Sequence, residues 1–169
     1  TYTATVTASD GTYTSTQDIT INITDVNEAP AFTSSATFSA AENQTSVGTV
    51  TATDADGDNI IYSISGSDIT INSSNGVIAF ASAPDYETKT SYTATVTASD
   101  GTNSNTQDIT VNVINRNDVA PVFTSSAIFS SEENQTSIGS VTATDADGDI
   151  FWTITYSISG SDIKIFPSS

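Results

Sequence analysis

The chain has 169 residues, of which 20 are Asp or Glu and 3 are Lys or Arg, so its formal net charge is -17. A surface this acidic repels nucleic-acid phosphates and anionic membranes and attracts cations, so we expect no nucleic-acid partner and no membrane insertion. Because His and Cys are both absent, and these side chains supply most zinc sites, hydrolytic triads and proton shuttles, we predict that the chain is not an enzyme.

The strand-like segment at the start of the chain recurs later. The stretch from Tyr2 to Thr12 returns unchanged at Tyr92 to Thr102, and the segment from Thr51 to Asp58 returns at Thr142 to Asp149. The period is about 90 residues, the size of one β-sandwich domain. The sequence is therefore interpreted as a tandem repeat.

The phase of the repeat divides the chain into three parts. Residues 1–28 match the last two strands of one unit and its linker, residues 29–117 make a complete unit, and residues 118–169 match the beginning of a third. An isolated two-stranded ribbon is marginal in water, so we expect the first part to need a partner that completes its sheet. Two explanations stay open: the chain is an excerpt of a longer protein, or the incomplete parts complete each other between identical subunits.

Period-two alternation of apolar and polar residues dominates the complete unit and is typical of strands that bury one face. In the run from Tyr92 to Ala98 the Thr residues face outward, and Asp100-Gly101 starts the next turn. We predict seven strands, near residues 32–38, 47–53, 60–65, 69–72, 76–80, 92–98 and 109–113. Seven short strands without a competing helical period predict an all-β fold of Greek-key, immunoglobulin-like sandwiches in tandem.

Acidic side chains gather at the predicted strand ends, where Asp-x-Asp and Asp-Tyr-Glu clusters occur. These residues are Asp25, Glu28, Glu42, Asp54, Asp56, Asp85, Glu87, Asp100, Asp118, Asp145 and Asp147. Carboxylates held close together repel one another, and a hard divalent cation removes that cost. Ca²⁺ takes six to eight oxygen ligands, which suits loops rich in Asp, Asn and Gly, so we predict a Ca²⁺ cofactor.

Other acidic residues are better explained as turn formers, because an Asp side chain caps local backbone. We interpret Asp58, Asp68, Asp149 and Asp162 in this way. An EF-hand loop that begins at Asp54 does not fit, because its twelfth position is Ser65 and an EF-hand requires Glu there.

The order of five motifs resembles the cadherin repeat. These are Glu-Asn, Asp-x-Asp, Asp-Tyr-Glu, Ala-x-Asp-Gly, and a linker of the Asp-x-Asn-Asp type before Ala-Pro-x-Phe. The Thr-rich, Cys-free style is similar to the cadherin-like domains of large bacterial surface and secreted proteins. This resemblance implies that calcium ions lie between successive units.

The resemblance also implies two ligand sets. The junction after the complete unit would use Glu42, Asp85, Glu87, Asn117, Asp118, Asp145 and Asp147. The junction before it would use Asp25, Asn27, Glu28, Asp54, Asp56 and Asp100. The remaining ligands of each junction are expected beyond the two ends of the chain.

This sequence departs from the family pattern in three places. The second linker begins with Asn115 where the family favours Asp, and the first has Glu28 where the family has Asp, so two ions are expected there as readily as three. The third part carries an insertion, Phe151-Trp152-Thr153, interpreted as core residues with an exposed contact point as the alternative.

The interpretation that these features favour is a calcium-stiffened, structural and adhesive rod in an extracellular adhesin or cell-surface protein. One alternative is a filament or sheath subunit that assembles head to tail by strand complementation. A second is a carbohydrate-binding module, for which only Trp152 offers a signal. The expected partners are neighbouring repeats or identical subunits, together with cell-surface or polysaccharide ligands.

Overall fold

The computed structural model describes residues 1–148, 153–160 and 162–165, so the turn at Asp149 and the insertion at Phe151 and Trp152 lie outside the described residues. Within them the chain forms strands and no helix. The strands are β1 (Tyr2–Ser9), β2 (Thr14–Ile21), β3 (Ala31–Phe32), β4 (Thr37–Ala41), β5 (Ser46–Thr49), β6 (Ala52–Thr53), β7 (Ile61–Ile64), β8 (Ile69–Ile71), β9 (Val77–Phe80), β10 (Ser91–Ser99), β11 (Ser104–Ile114), β12 (Val122–Phe123) and β13 (Ala143–Thr144).

Strands β4 to β11 form a sandwich of two sheets. One sheet has the order β4-β11-β10-β7, in which β4 runs parallel to β11 and the other pairs are antiparallel. The opposing sheet has the order β5-β9-β8. Strands β3 and β6 form a separate, short antiparallel pair. Non-consecutive neighbours in both sheets give the crossed connections expected of a Greek-key sandwich.

The core is apolar and lies between the two sheets. Val96, Ala98 and Val111 are fully buried because alternate side chains of β10 and β11 point inward, as the period-two pattern predicts. The buried apolar residues are Ala40, Val50, Tyr62, Ile69, Ile78, Phe80, Val96, Ala98, Ile109, Val111 and Val113. Every member of this core comes from the segment between Ala40 and Val113.

The structure divides two of the seven predicted strands. The run near residues 32–38 becomes β3 and β4, because β3 pairs antiparallel with β6 whereas β4 pairs parallel with β11. The run near 47–53 becomes β5 and β6, and between them the amide of Val50 donates to the carbonyl of Gly76 at 2.9 Å. Alternation alone could not show these breaks, since the chain changes partners without changing its polarity pattern.

Strand β11 begins earlier than predicted, at Ser104, so Asp108 lies inside a strand. Asp18 lies inside β2 in the same way. Both carboxylates accept a hydrogen bond from a Thr hydroxyl on the neighbouring strand, at 2.6 Å from Thr95 to Asp108 and 2.7 Å from Thr5 to Asp18. The idea that acidic residues keep to strand ends is therefore wrong for these two positions.

The flanking parts form smaller sheets. Strands β1 and β2 make an antiparallel hairpin, and β12 pairs with β13. The predicted boundaries at residues 28 and 117 remain a prediction, because strand pairing alone does not show which segments fold independently.

Candidate metal centre

Three carboxylates from separate parts of the sequence converge at one end of the sandwich. One oxygen from each of Glu42, Glu87 and Asp118 lies within 4.8 Å of the other two. Glu42 follows β4, Glu87 lies between β9 and β10, and Asp118 follows β11. The fold therefore joins residues that are distant along the chain into an acidic centre, which we call the seam cluster.

Glu42 is buried, and both of its carboxylate oxygens accept hydrogen bonds. Its side chain is 1% exposed. One carboxylate oxygen accepts the amide N–H of Tyr86 at 2.8 Å, and the other accepts the amide N–H of Arg116 at 2.7 Å. Buried charges are costly unless they are hydrogen-bonded, so these two bonds make the position tolerable. They also fasten the linker after β11 to the loop before β10.

Asp147 reaches the same region from the third part of the chain. It is 6% exposed, and its Oδ2 accepts the amide N–H groups of Asp118 at 3.2 Å and Val119 at 3.0 Å. Its own amide donates to Asp145 Oδ1 at 3.0 Å, and Asn115 Nδ2 donates to its carbonyl at 2.6 Å. The Asp-x-Asp motif of the third part thus lies against the second linker.

The electrostatics at the seam cluster oppose ionisation of one carboxyl group. The pKa of Glu87 is raised by desolvation and, further, by its contact with Asp85 and the negative charges of Glu42 and Asp147. The pKa of Asp85 is lowered, chiefly by the hydrogen bond from the Thr88 hydroxyl. Desolvation is the largest cause of the raised pKa of Glu87, and the negative charges of Glu42 and Asp147 add to it in the direction that the predicted repulsion requires.

A second acidic group lies at the opposite linker. Asn27 Nδ2 donates to Asp100 Oδ2 at 2.8 Å, and the amide of Glu28 donates to Asp56 Oδ2 at 2.9 Å. Asp54 Oδ1 accepts the amide of Asp56 at 2.9 Å. The pKa of Asp100 is lowered, first by hydrogen bonds from the amides of Asn103 and Thr102. The first linker thus contacts both acidic loops of the complete unit.

Several buried oxygens at these two places have no hydrogen-bond partner within the described part of the chain. They are Asp54 Oδ2, Asn115 Oδ1 and Asp147 Oδ1. An unpartnered buried oxygen costs free energy unless something binds it. Carboxylate and amide oxygens are the ligands that Ca²⁺ prefers, so the donor set and these free lone pairs both fit a calcium ion.

The structure brings together some predicted ligands and leaves others apart. Asp25 and Asn117 are exposed in their linkers, and the seam cluster contains neither. Three useful residues were missed: Asn43, whose amide group donates to Asp118; Asn103, which donates to the carbonyl of Asn27 at 2.8 Å; and Asn115. Asn43 could have been found, since the Glu-Asn-Gln-Thr motif recurs, whereas the first hairpin has Tyr13 in place of Asn103.

Known proteins match most of this chain. Residues 36–114 match the cadherin domain family. Cadherin EGF LAG seven-pass G-type receptor 1 of Mus musculus is 34% identical over 178 residues, which cover 95% of this chain and 6% of that protein. Protocadherin-like wing polarity protein stan of Drosophila melanogaster is 37% identical over 185 residues, covering 95% of this chain and 5% of that protein. The chain thus spans a small fraction of the length of these relatives.

Solved structures agree with the sequence matches. Mouse Cadherin-23 EC22-24 has a TM-score of 0.59 and 27% identity, covering 85% of this chain and 52% of its own. The human Desmocollin-1 ectodomain has a TM-score of 0.59 and 28% identity, covering 80% of this chain and 30% of its own. These similarities confirm the predicted immunoglobulin-like sandwich. Among the described residues there is no helix long and apolar enough to cross a membrane.

Proposed function

Because the chain belongs to the cadherin family, through the domain that residues 36–114 form, we propose that it is a calcium-stiffened segment of an extracellular adhesion or surface protein. Its role is mechanical: metal ions hold successive sandwiches and their linkers in line. The matched relatives are named as cadherins, protocadherins and receptors, which agrees with a structural and adhesive role rather than a catalytic one.

The seam cluster is the observation that supports this proposal most directly. Glu42 and Glu87 belong to the sandwich, whereas Asp118 belongs to the linker that follows it. Two like charges about 4 Å apart repel by about 4 kcal/mol at an effective dielectric constant near 20, so three such groups oppose the aligned arrangement. A divalent cation bound among them turns that repulsion into attraction.

Asp147 extends the same logic to the next unit. Its buried Oδ1 is unpartnered within the described residues, and its Oδ2 already accepts two amides of the linker. An ion that contacts Asp147 together with the seam cluster would connect the base of one unit, the linker and the top of the next. Since such an ion binds only the aligned state, it stabilises that state by about 2.7 kcal/mol at one hundred times its Kd.

The ligand set proposed from the family pattern includes Asp85, Asn117 and Asp145 at this seam. At the other linker it includes Asp25, Asn27, Glu28, Asp54, Asp56 and Asp100. The hydrogen bonds from Asn27 to Asp100 and from Glu28 to Asp56 support the second set, because they already place the linker beside both acidic loops. Magnesium fits less well, since it demands strict octahedra and keeps its water.

Small-angle X-ray scattering of the chain tests the mechanical role. We expect the radius of gyration to rise and the flexibility signature to fall when Ca²⁺ replaces a chelator, because ions align the parts. Mg²⁺ at equal ionic strength is the matched control for screening, and Glu132→Gln is the control for loss of one carboxylate outside the seam cluster. Profiles that are identical in Ca²⁺ and chelator would rule out the rod.

The location and the adhesion partner are also proposals. The relatives include proteins described as ectodomains and extracellular domains, and we infer an extracellular or cell-surface location for this chain. One matched structure is described as a cis-dimer of a protocadherin, which favours neighbouring repeats or identical chains as partners. The bacterial origin suggested by the Thr-rich composition stays a prediction, since the matches described above are animal proteins.

A further inference from the structure

Two asparagines adopt a backbone conformation that glycine adopts elsewhere in the chain. Asn43 has φ of 61° and Asn134 has φ of 64°, and every other residue with positive φ in the described part of the chain is a glycine. This left-handed region is sterically costly for a residue with a Cβ atom, whereas glycine enters it freely. The two positions are equivalent, since Glu42-Asn43-Gln44-Thr45 returns at Glu133 to Thr136. An asparagine kept at such a position indicates a contact that glycine could not make.

The side chain of Asn43 contacts the second linker. Its Nδ2 donates to Asp118 Oδ2, 75 residues further along the chain. The backbone amide of Asn43 donates to the carbonyl of Pro84 at 3.0 Å, so the residue is anchored to the loop before β10 while its side chain reaches the linker. The left-handed turn at Asn43 therefore joins the sandwich to the seam cluster through Asp118.

Glu42, the residue before Asn43, fastens the same segment. Its backbone amide donates to the carbonyl of Ile114 at 3.1 Å, and its Oε1 accepts the amide of Arg116 at 2.7 Å. Together with the bond from Asn43, these contacts fall on alternate residues of the segment that leaves β11: Ile114, Arg116 and Asp118. All three hydrogen bonds are made by atoms of the chain itself, so they need no cation.

We propose that Glu42 and Asn43 form a latch that holds residues 114–118 on the sandwich before any cation binds, and that Asn43 is the positioning residue for Asp118. Where it concerns calcium, this step rests on the proposed function. The Asn43 amide uses one lone pair of the Asp118 carboxylate and leaves others for a cation. A neutral donor suits this position, because a Lys would compete with the cation and an Asp would repel Asp118.

Limited digestion with trypsin in chelator measures release of the latch. Arg116 is the only arginine of the chain and lies within the latched segment, and its side chain is exposed, so cleavage after it depends on detachment of the backbone. Asn43→Gly removes the amide group and keeps a residue that accepts positive φ. We expect cleavage after Arg116 to become about tenfold faster, since a hydrogen bond to a charged group is lost. Cleavage after Lys164 is the internal reference for protease activity.

Calorimetric titration with Ca²⁺ and thermal unfolding separate positioning from a structural role. If Asn43 positions Asp118, Asn43→Gly should bind Ca²⁺ at least about tenfold more weakly, as is typical when the hydrogen-bond partner of a metal ligand is removed. Its melting temperature in chelator should equal or exceed that of the unmodified chain, because glycine relieves the strain at positive φ. A role confined to backbone conformation would leave both the Ca²⁺ affinity and the cleavage rate after Arg116 unchanged.

Asn134→Gly is the matched control, since it makes the same change at the same φ in the third part of the chain and should behave like the unmodified chain in both measurements. Equal cleavage after Arg116 in the unmodified chain and Asn43→Gly would overturn the latch, and equal Ca²⁺ affinity would overturn the positioning role. If both are equal and the unmodified chain binds Ca²⁺, the latch is wrong and the proposed function stands. Faster cleavage of Asn43→Gly in a chain that takes up no Ca²⁺ would support the latch and contradict the proposed function.

Discussion

At the scale of single residues, the acidic end of the sandwich combines charges that favour and oppose folding. Glu42 is buried and satisfied by two amides, whereas Glu87 has a raised pKa because desolvation, its contact with Asp85 and neighbouring negative charges disfavour its ionised form. In the absence of metal, ionisation of Glu87 therefore weakens the fold. In the function that we propose, the same carboxylate serves as a calcium ligand.

The substitution Glu87→Gln separates these two effects. A raised pKa means that the folded, calcium-free chain binds a proton at Glu87 more readily than the unfolded chain. Its stabilising contribution is therefore present at low pH and is lost as the pH rises through the folded pKa. In chelator at neutral pH we expect Glu87→Gln to melt a few degrees above the unmodified chain, with the difference vanishing on acidification.

Thermal unfolding followed by circular dichroism, repeated across the acid range, measures this difference. Asp85 and Asp100 have lowered pKa values and lose their stabilising effect as the pH falls, but Asp100 does so equally in both proteins. Glu132→Gln, a change outside the seam cluster, should leave the melting curve unaltered. A variant at Glu87 that melts below the unmodified chain at neutral pH contradicts the repulsion that we infer.

The sequence identified these residues unevenly. Glu42, Glu87 and Asp118 could be named because their motifs follow one another in a recognisable order. The amides of Tyr86 and Arg116 that hold Glu42 could not, since main-chain donors leave no trace in side-chain chemistry. Asn115 counted only as a missing charge in the sequence, yet its amide group donates to the Asp147 carbonyl.

At the scale of strands and turns, alternation predicted where strands lie better than where they break. The long strand β10 follows directly from the repeating Thr pattern, whereas β11 begins at Ser104, before the predicted run near 109–113. The breaks between β3 and β4 and between β5 and β6 depend on partners far along the chain, so period-two alternation carries no signal for them. Turn residues do carry such signals, and Gly76 is the clearest case.

Gly76 closes the turn between β8 and β9 and has φ of 70°. A Cβ atom there would lie 2.1 Å from the carbonyl oxygen of Val50. The backbone is also fixed at this turn, because the amide of Val50 donates to the carbonyl of Gly76 and the amide of Gly76 donates to the carbonyl of Asn72. Gly76→Ala should therefore destabilise the fold through both backbone strain, about 1 kcal/mol, and overpacking of roughly 1–3 kcal/mol.

Chemical denaturation of the two matched glycine variants measures the overpacking contribution. Gly66 also has positive φ, at 83°, but nothing lies within 4 Å of its hypothetical Cβ. Gly66→Ala should therefore lower the free energy of unfolding only by the smaller contribution, which is backbone strain. An equal decrease in the free energy of unfolding for the two substitutions would mean that the Val50 backbone moves aside without loss of stability.

At the scale of the whole molecule, a formal net charge of -17 acts against compaction, and the fold places much of that charge at linkers. The repeat indicated the size of the unit and the family, because five motifs in order are specific. The family resemblance also placed Glu42, Glu87 and Asp118 in one ligand set, and these three carboxylates do converge. The repeat could not indicate the depth of burial of Asp147, which depends on how the linker turns after β11. A stiff segment follows only if a cation joins these groups.

Calorimetric titration of the chain with Ca²⁺ measures the binding of a cation to the seam cluster directly. We predict saturable uptake by the unmodified chain, unchanged uptake by Glu132→Gln, and an affinity at least about tenfold weaker for Glu87→Gln, a difference of about 1.4 kcal/mol. Absence of binding heat together with an unchanged melting temperature in Ca²⁺, or equal affinity for the unmodified chain and Glu87→Gln, would contradict the seam cluster as a calcium site.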